Sequence, residues 1–153
     1  MTPKLPETPA DRSDRFNLAR FVSAQESSYD VALSEVTGGS KYSHWMWFIF
    51  PQLRGLGRSS TAQFYGITGL EEARAYLSHE ILGPRLIAVC EAALAVEDRS
   101  ATEIFGTPDD MKLCSCATLF ARASNQGSVF HKILDKYFGG KPDPRTLELL
   151  AES

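Results

Sequence analysis

From residue 16 onward, apolar residues recur three and four apart between short polar or glycine-rich breaks, the period of helices rather than strands. Asn17 stands as the N-cap of a first short helix ending near Gln25, with Phe16 and Phe21 as its hydrophobic staple. Ser27-Ser28-Tyr29-Asp30 has the form of a capping box, Tyr29, Leu33 and Val36 follow at helical spacing, and Gly38-Gly39 supplies the stop. Ser59 or Ser60 caps a short helix through Tyr65. Thr68-Gly69-Leu70-Glu71 is a second box, and Gly83-Pro84 begins a longer helix whose inner face is Leu86, Val89, Cys90, Ala93 and Leu94. Ser100-Ala101-Thr102-Glu103 opens one short turn that Gly106 closes. Thr107-Pro108-Asp109-Asp110 then starts a helix on which Leu113, Cys116, Ala117 and Phe120 repeat at i, i+3, i+4 and i+7. Ser128 caps the stripe Val129, Phe130, Ile133, Leu134, Tyr137 and Phe138, Gly139-Gly140 ends it, and Asp143-Pro144 opens a last helix with Leu147 and Leu150.

One stretch departs from this rhythm. Residues 43–50 are almost wholly apolar, with Trp45, Trp47, Phe48, Ile49 and Phe50, a run that periodicity alone leaves open between buried strand and buried helix. No other segment alternates cleanly, and a lone strand cannot satisfy its backbone in a core. The run is therefore predicted to be a buried helix capped by Ser43 and ended by Pro51. The prediction for the chain is an all-α fold: a mobile tail over residues 1–15, then one compact domain over 16–153. Its eight to ten helices are too short and unequal for an up-down bundle.

Composition narrows the function more than the fold. The chain has 153 residues, 43% hydrophobic and 23% charged, enough for one domain with a real core. A net charge of −3 argues against a nucleic-acid polymer as partner. The longest apolar run, residues 45–51, is too short to span a bilayer, and the first residues lack a signal-peptide core. Three cysteines imply no complete disulfide framework, so a cytoplasmic, reducing setting is expected.

The residues flanking the apolar run carry the candidate chemistry. Downstream of Gln52, Arg54-Gly55-Leu56-Gly57-Arg58-Ser59 joins turn-forming glycines to two arginines at a helix start, a pattern suited to phosphate or carboxylate. It is neither the dinucleotide fingerprint nor the P-loop. Upstream, Lys41, Ser43, His44 and Trp45 bring hydrogen-bonding groups. His44 is the one credible proton-transfer group, and Trp45 a stacking surface if it is exposed. Trp47 and Phe48 are expected in the core. Cys114-Ser115-Cys116 lacks zinc-site spacing, His79 and His131 lack ligand partners, and Asp109 and Asp110 are explained by helix capping, so no metal or cofactor is expected. Two readings stand: binding, with processing an open extension, of a small anionic ligand of nucleotide or ADP-ribose type, or a non-catalytic interaction or homo-oligomerisation module.

The motif Ser43-His44-Trp45-Met46-Trp47-Phe48-Ile49-Phe50-Pro51-Gln52, with Gly55-Leu56-Gly57, closely resembles the signature of a bacterial family, domain-of-unknown-function family eighteen-ten. The likeness continues through Glu72-Ala73-Arg74-Ala75-Tyr76-Leu77, His79, Leu82-Gly83-Pro84-Arg85-Leu86, Thr118-Leu119-Phe120, Asp135-Lys136-Tyr137-Phe138 and Asp143. It implies a compact helical fold and supplies no activity or catalytic residues. The chain departs from the pattern at Glu80, where proline is usual, and at Cys116, where methionine is common. Members of this family are sometimes labelled calpastatin, but that inhibitor is a disordered repeat protein and this chain is neither. A slighter resemblance, in Ser43-His44 and Leu56-Gly57-Arg58, is to the NAD- and ADP-ribose-associated (NADAR) family, at a different spacing.

Overall fold

The structure is a computed structural model describing residues 14–152. These form ten helices: α1 Ala19–Gln25, α2 Tyr29–Thr37, α3 Met46–Ile49, α4 Ser60–Phe64, α5 Leu70–Ser78, α6 Leu82–Ala95, α7 Ala101–Phe105, α8 Asp109–Arg122, α9 Val129–Phe138 and α10 Pro144–Glu152. The fold is all-α, with one isolated parallel bridge, Leu53–Ile67, among the described residues. Most of the expected tail, residues 1–13, lies outside the described residues. Asp14 and Arg15 are already engaged, Asp14 accepting the N–H groups of Leu18 and Ala19, and Arg15 meeting Glu71 at 2.8 Å.

Several capping expectations hold as written. Ser100 and Glu103 complete their reciprocal box, Ser128 caps α9, Gly139 ends it in the left-handed conformation at φ +64°, and Asp143 accepts the Thr146 N–H at the start of α10. Others are corrected. Asn17 is itself left-handed, at φ +56°, so Asp14 caps α1 in its place. Ser28 precedes α2 without a side-chain capping bond. Thr68 donates from N and Oγ1 to Glu72, one residue beyond the expected Glu71. The apolar run is one helical turn, not two, because Ser43 is drawn away to Glu35 and the chain is turning into Pro51 by Phe50.

Helices α6 and α8 are the longest, and the others pack about them: α2, α5 and α9 on α6, and α5, α7, α9 and α10 on α8. Surrounded by four helices, α8 buries eight residues from Leu113 to Ala121 rather than a single stripe. Tyr76 and Phe120, then Phe120 and Phe130, run as ring pairs through this core, and Trp45, Phe50 and Phe105 form a second aromatic cluster.

Two buried polar networks fix the segments that carry the site. Arg20 uses all five guanidinium N–H groups: on the carbonyls of Phe16, Asn17, Phe64 and Gly66, and on Glu72 at 2.9 Å. It thereby pins the chain just after α4. Gln25 donates to the Phe48 carbonyl at 2.8 Å and to the Tyr76 hydroxyl, tying the end of α3 to α1 and α5. Among the described residues no helix is long and apolar enough to cross a membrane.

Candidate functional site

The expected site divides in two. On its upstream half, Glu35 of α2 accepts the N–H of Tyr42 and of Ser43, the Ser43 hydroxyl and the Trp45 indole N–H, at 2.7–3.0 Å. Ser43 and Trp45 are therefore spent on holding the loop. Trp45 is 1% exposed, which removes it as a stacking surface for a ligand. Lys41 donates to the Ser43 carbonyl at 2.6 Å, pairs with Asp109 at 2.8 Å and lies 4.9 Å from the Trp45 ring. His44 is exposed, and no described group hydrogen-bonds its ring, so nothing orients it for proton transfer.

Burial raises the pKa of Glu35, but the four donors outweigh it and hold the carboxyl at about 2, against an ordinary 4.5. The unfolded chain thus binds the proton more readily. Stability from this group is complete above about pH 4.5 and is lost as pH falls toward 2. A Glu35→Gln variant is expected to be less stable than the parent in urea unfolding at pH 6, with the gap closing by about pH 2. A gap that stays constant across this range would contradict the assignment.

The downstream half opens onto a cleft of about 400 Å³, within the size range of small-molecule sites. The cleft is lined by Gln52, Leu56, Gly57, Arg58 and Ser59 of the loop, by Ala62 and Tyr65, by Met111, Lys112 and Ser115 of α8, and by Asp143 and Arg145 at the start of α10. Trp47 lines it as well. The loop keeps its shape because Arg54 N–H donates to Ile67 and Ile67 N–H to Gln52, and because Gly55 adopts φ +106°. Gly57 lies so near α4 that a Cβ there would fall 2.6 Å from that of Ala62.

Of the residues expected to bind, the cleft gathers Gln52, Gly57, Arg58 and Ser59 and leaves out Lys41, Ser43, His44, Trp45, Arg54 and Gly55. The helix-terminus anion site expected at Ser59 is occupied by its own cap, because Ser59 Oγ accepts the Ala62 N–H at 3.1 Å. The two tryptophans exchange roles: Trp45 is core, whereas Trp47, expected in the core, lines the cleft. Position 47 had only its run of apolar neighbours as a signal, and that run hid it.

The remaining residues of the cleft lining come from far along the chain. Lys112 sits 5.3 Å from the Trp47 ring and 3.4 Å from Asp109, which also holds Lys41. Asp109 therefore links the two halves, a role beyond helix capping. Arg145 pairs with Glu148 at 3.2 Å, and the Arg58 guanidinium has no hydrogen bond or ion pair among the described residues. The cleft lining thus includes three cations, two of them ion-paired outside it, and one carboxylate, Asp143.

The cysteines stand apart from this chemistry. Cys90 and Cys116 are buried and their thiols are pushed up by burial; Cys114, half-buried, is raised to about 11 by burial and by Asp143. None is a ready nucleophile. Among the described residues no group of three or more His, Cys, Asp or Glu is arranged to hold a metal ion.

A crystal structure of the conserved hypothetical protein Rv1873 from Mycobacterium tuberculosis is similar to this chain at a TM-score of 0.89 and 54% identity, covering 90% of this chain and 99% of that one. No curated protein matches the chain. The family described as protein of unknown function (DUF1810) matches residues 15–150, and with nearly the whole described length covered, the chain belongs to that family.

Proposed function

We propose that the protein binds a small anionic ligand, of nucleotide or ADP-ribose type, in the cleft between the 52–59 loop and the starts of α8 and α10. The observation that carries this reading is the convergence of Arg58, Lys112 and Arg145 around one concave surface, with the Arg58 guanidinium left without an internal partner. A cation with no internal partner at the wall of a cleft is ready to take phosphate in bidentate fashion. Trp47 and Tyr65 continue from the cleft into a neighbouring shelf with Phe48 and Phe64, which offers ring surface to a planar group. The reading is one of binding, and no reaction is assigned.

A second reading, an interaction module without catalysis, draws on Met111 and Phe64 beside the cleft, 61% and 52% exposed. The two separate in a thermal-shift series with pyrophosphate, AMP and ADP-ribose. Ligand at a hundred times Kd is expected to add about 2.7 kcal/mol of stability, roughly 5–10 °C for a chain of this size. Arg58→Ala should weaken binding about tenfold or more. No shift with any of the three would leave the interaction reading standing instead, and an unchanged affinity in Arg58→Ala would place the ligand away from this cleft.

A further inference from the structure

Asp143 is an unexpected resident of a cationic cleft, and its bonding is lopsided. All its side-chain bonds fall on one oxygen: Oδ2 accepts from Ser115 Oγ at 2.9 Å, from the Thr146 N–H at 3.2 Å and from Thr146 Oγ1. Its backbone N–H is held in turn by Thr118 Oγ1 at 2.8 Å. Ser115 and Thr118 belong to α8 and Thr146 to α10, and all three are buried, so the carboxylate is fixed from two helices. Among the described residues nothing donates to Oδ1, although Asp143 lines the cleft. A carboxylate serving only as a helix cap needs one oxygen; here the bonds on Oδ2 hold the side chain and leave Oδ1, on a part-exposed residue, as a spare acceptor.

We infer that Asp143 is a specificity residue whose Oδ1 accepts hydrogen bonds from a hydroxyl-bearing part of the anionic ligand, such as the vicinal diol of a ribose. This rests on the cleft being the binding site. Arg58, which has no carboxylate partner among the described residues, lines the same cavity beside the ion-paired Lys112 and Arg145 and disfavours an ammonium as the donor, whereas neutral hydroxyls meet no such penalty. The same carboxylate weakens, without abolishing, the hold of the cations on a bare anion. The site is therefore built to prefer a sugar phosphate over phosphate alone, and it discriminates by leaving a fixed acceptor unpaired when the hydroxyl is missing.

The matched probes are AMP and 2′,3′-dideoxy-AMP, which share charge and base and differ in the diol, with inorganic pyrophosphate as the anion alone. The variant is Asp143→Asn. Its amide oxygen can keep the bonds from Ser115 and Thr146, and asparagine caps helices as well as aspartate, while the free edge turns from acceptor to donor. By calorimetry the parent should bind AMP roughly tenfold more tightly than the dideoxy compound. In Asp143→Asn that preference should fall to near one, with pyrophosphate bound as well as before or better. Equal affinity of the parent for the two nucleotides, with pyrophosphate still bound, would overturn this inference and leave the cleft intact as an anion site. So would a preference that survives in the variant. Failure of all three probes to bind would remove the cleft reading, and this one with it. Should the variant not fold, the parent's own ratio decides.

Discussion

Glu72→Ala is expected to cost about 3–5 kcal/mol, the range for stripping one partner from a buried ion pair. The side chains of Arg20 and Glu72 are 6% and 1% exposed, so the guanidinium left behind has little access to water. The loss would also release Thr68, whose N–H and hydroxyl both rest on Glu72. At about 2–4 °C per kcal/mol for a chain of this size, the melting temperature should drop by roughly 6–20 °C. Buried pairs can often be replaced together by apolar residues without penalty. That rescue is not expected here, because Arg20 also serves four backbone carbonyls that a methionine would abandon. Glu71→Ala is the control. Its pair with Arg15 is more than two-thirds exposed on both sides and should matter by less than about 1 kcal/mol. Equal losses in the two variants would contradict the buried-network account.

Gly83→Ala pits helix propensity against packing. Propensity alone favours alanine inside a helix by about 1 kcal/mol. The structure predicts the opposite, because a Cβ at Gly83 would lie 2.1 Å from the Leu77 carbonyl oxygen and 2.9 Å from its carbon. Backbone atoms of α5 cannot swing aside as a side chain can, so α5 and α6 would have to separate, and Leu82 and Leu86 with them. A net loss of about 2 kcal/mol or more is expected in urea unfolding, beyond the propensity gain. A gain in stability would show that the two helices do not approach so closely.

The helices were legible because their signals are local. Ser100, Ser128, Gly139 and Asp143 each mark a boundary with a residue whose preference acts within one turn, and the boundaries fall there. The failures arise where a distant group outbids the local one. Ser43 was read as a cap, but a carboxylate eight residues upstream takes its hydroxyl. His79, for which the sequence offers no ligand partner and no capping role, accepts through Nδ1 the N–H groups of Ile81 and Leu82 at the start of α6. The site follows the same division. Gln52, Gly57, Arg58 and Ser59 share one loop and were found together. Lys112, Ser115, Asp143 and Arg145 reach the cleft only because α10 packs on α8, a contact that no local pattern announces. The choice between Trp45 and Trp47 likewise turned on Glu35, whose reach to the indole is a tertiary fact.

The Arg20 and Gln25 networks also connect the fold to the cleft. Arg20 holds the carbonyls of Phe64 and Gly66 on either side of Tyr65, and Gln25 holds Phe48 beside Trp47. The aromatic part of the cleft lining therefore stands on buried polar bonds, while Arg58 and Arg145 in the same lining are exposed.

Soaking crystals of the protein in tungstate, an anomalously scattering stand-in for phosphate, tests the central claim most directly. The account predicts a peak inside the cleft within hydrogen-bonding reach of Arg58 and of Lys112 or Arg145. A cleft without a peak, while tungstate is bound at another basic position such as Arg54 or Arg74, would contradict it.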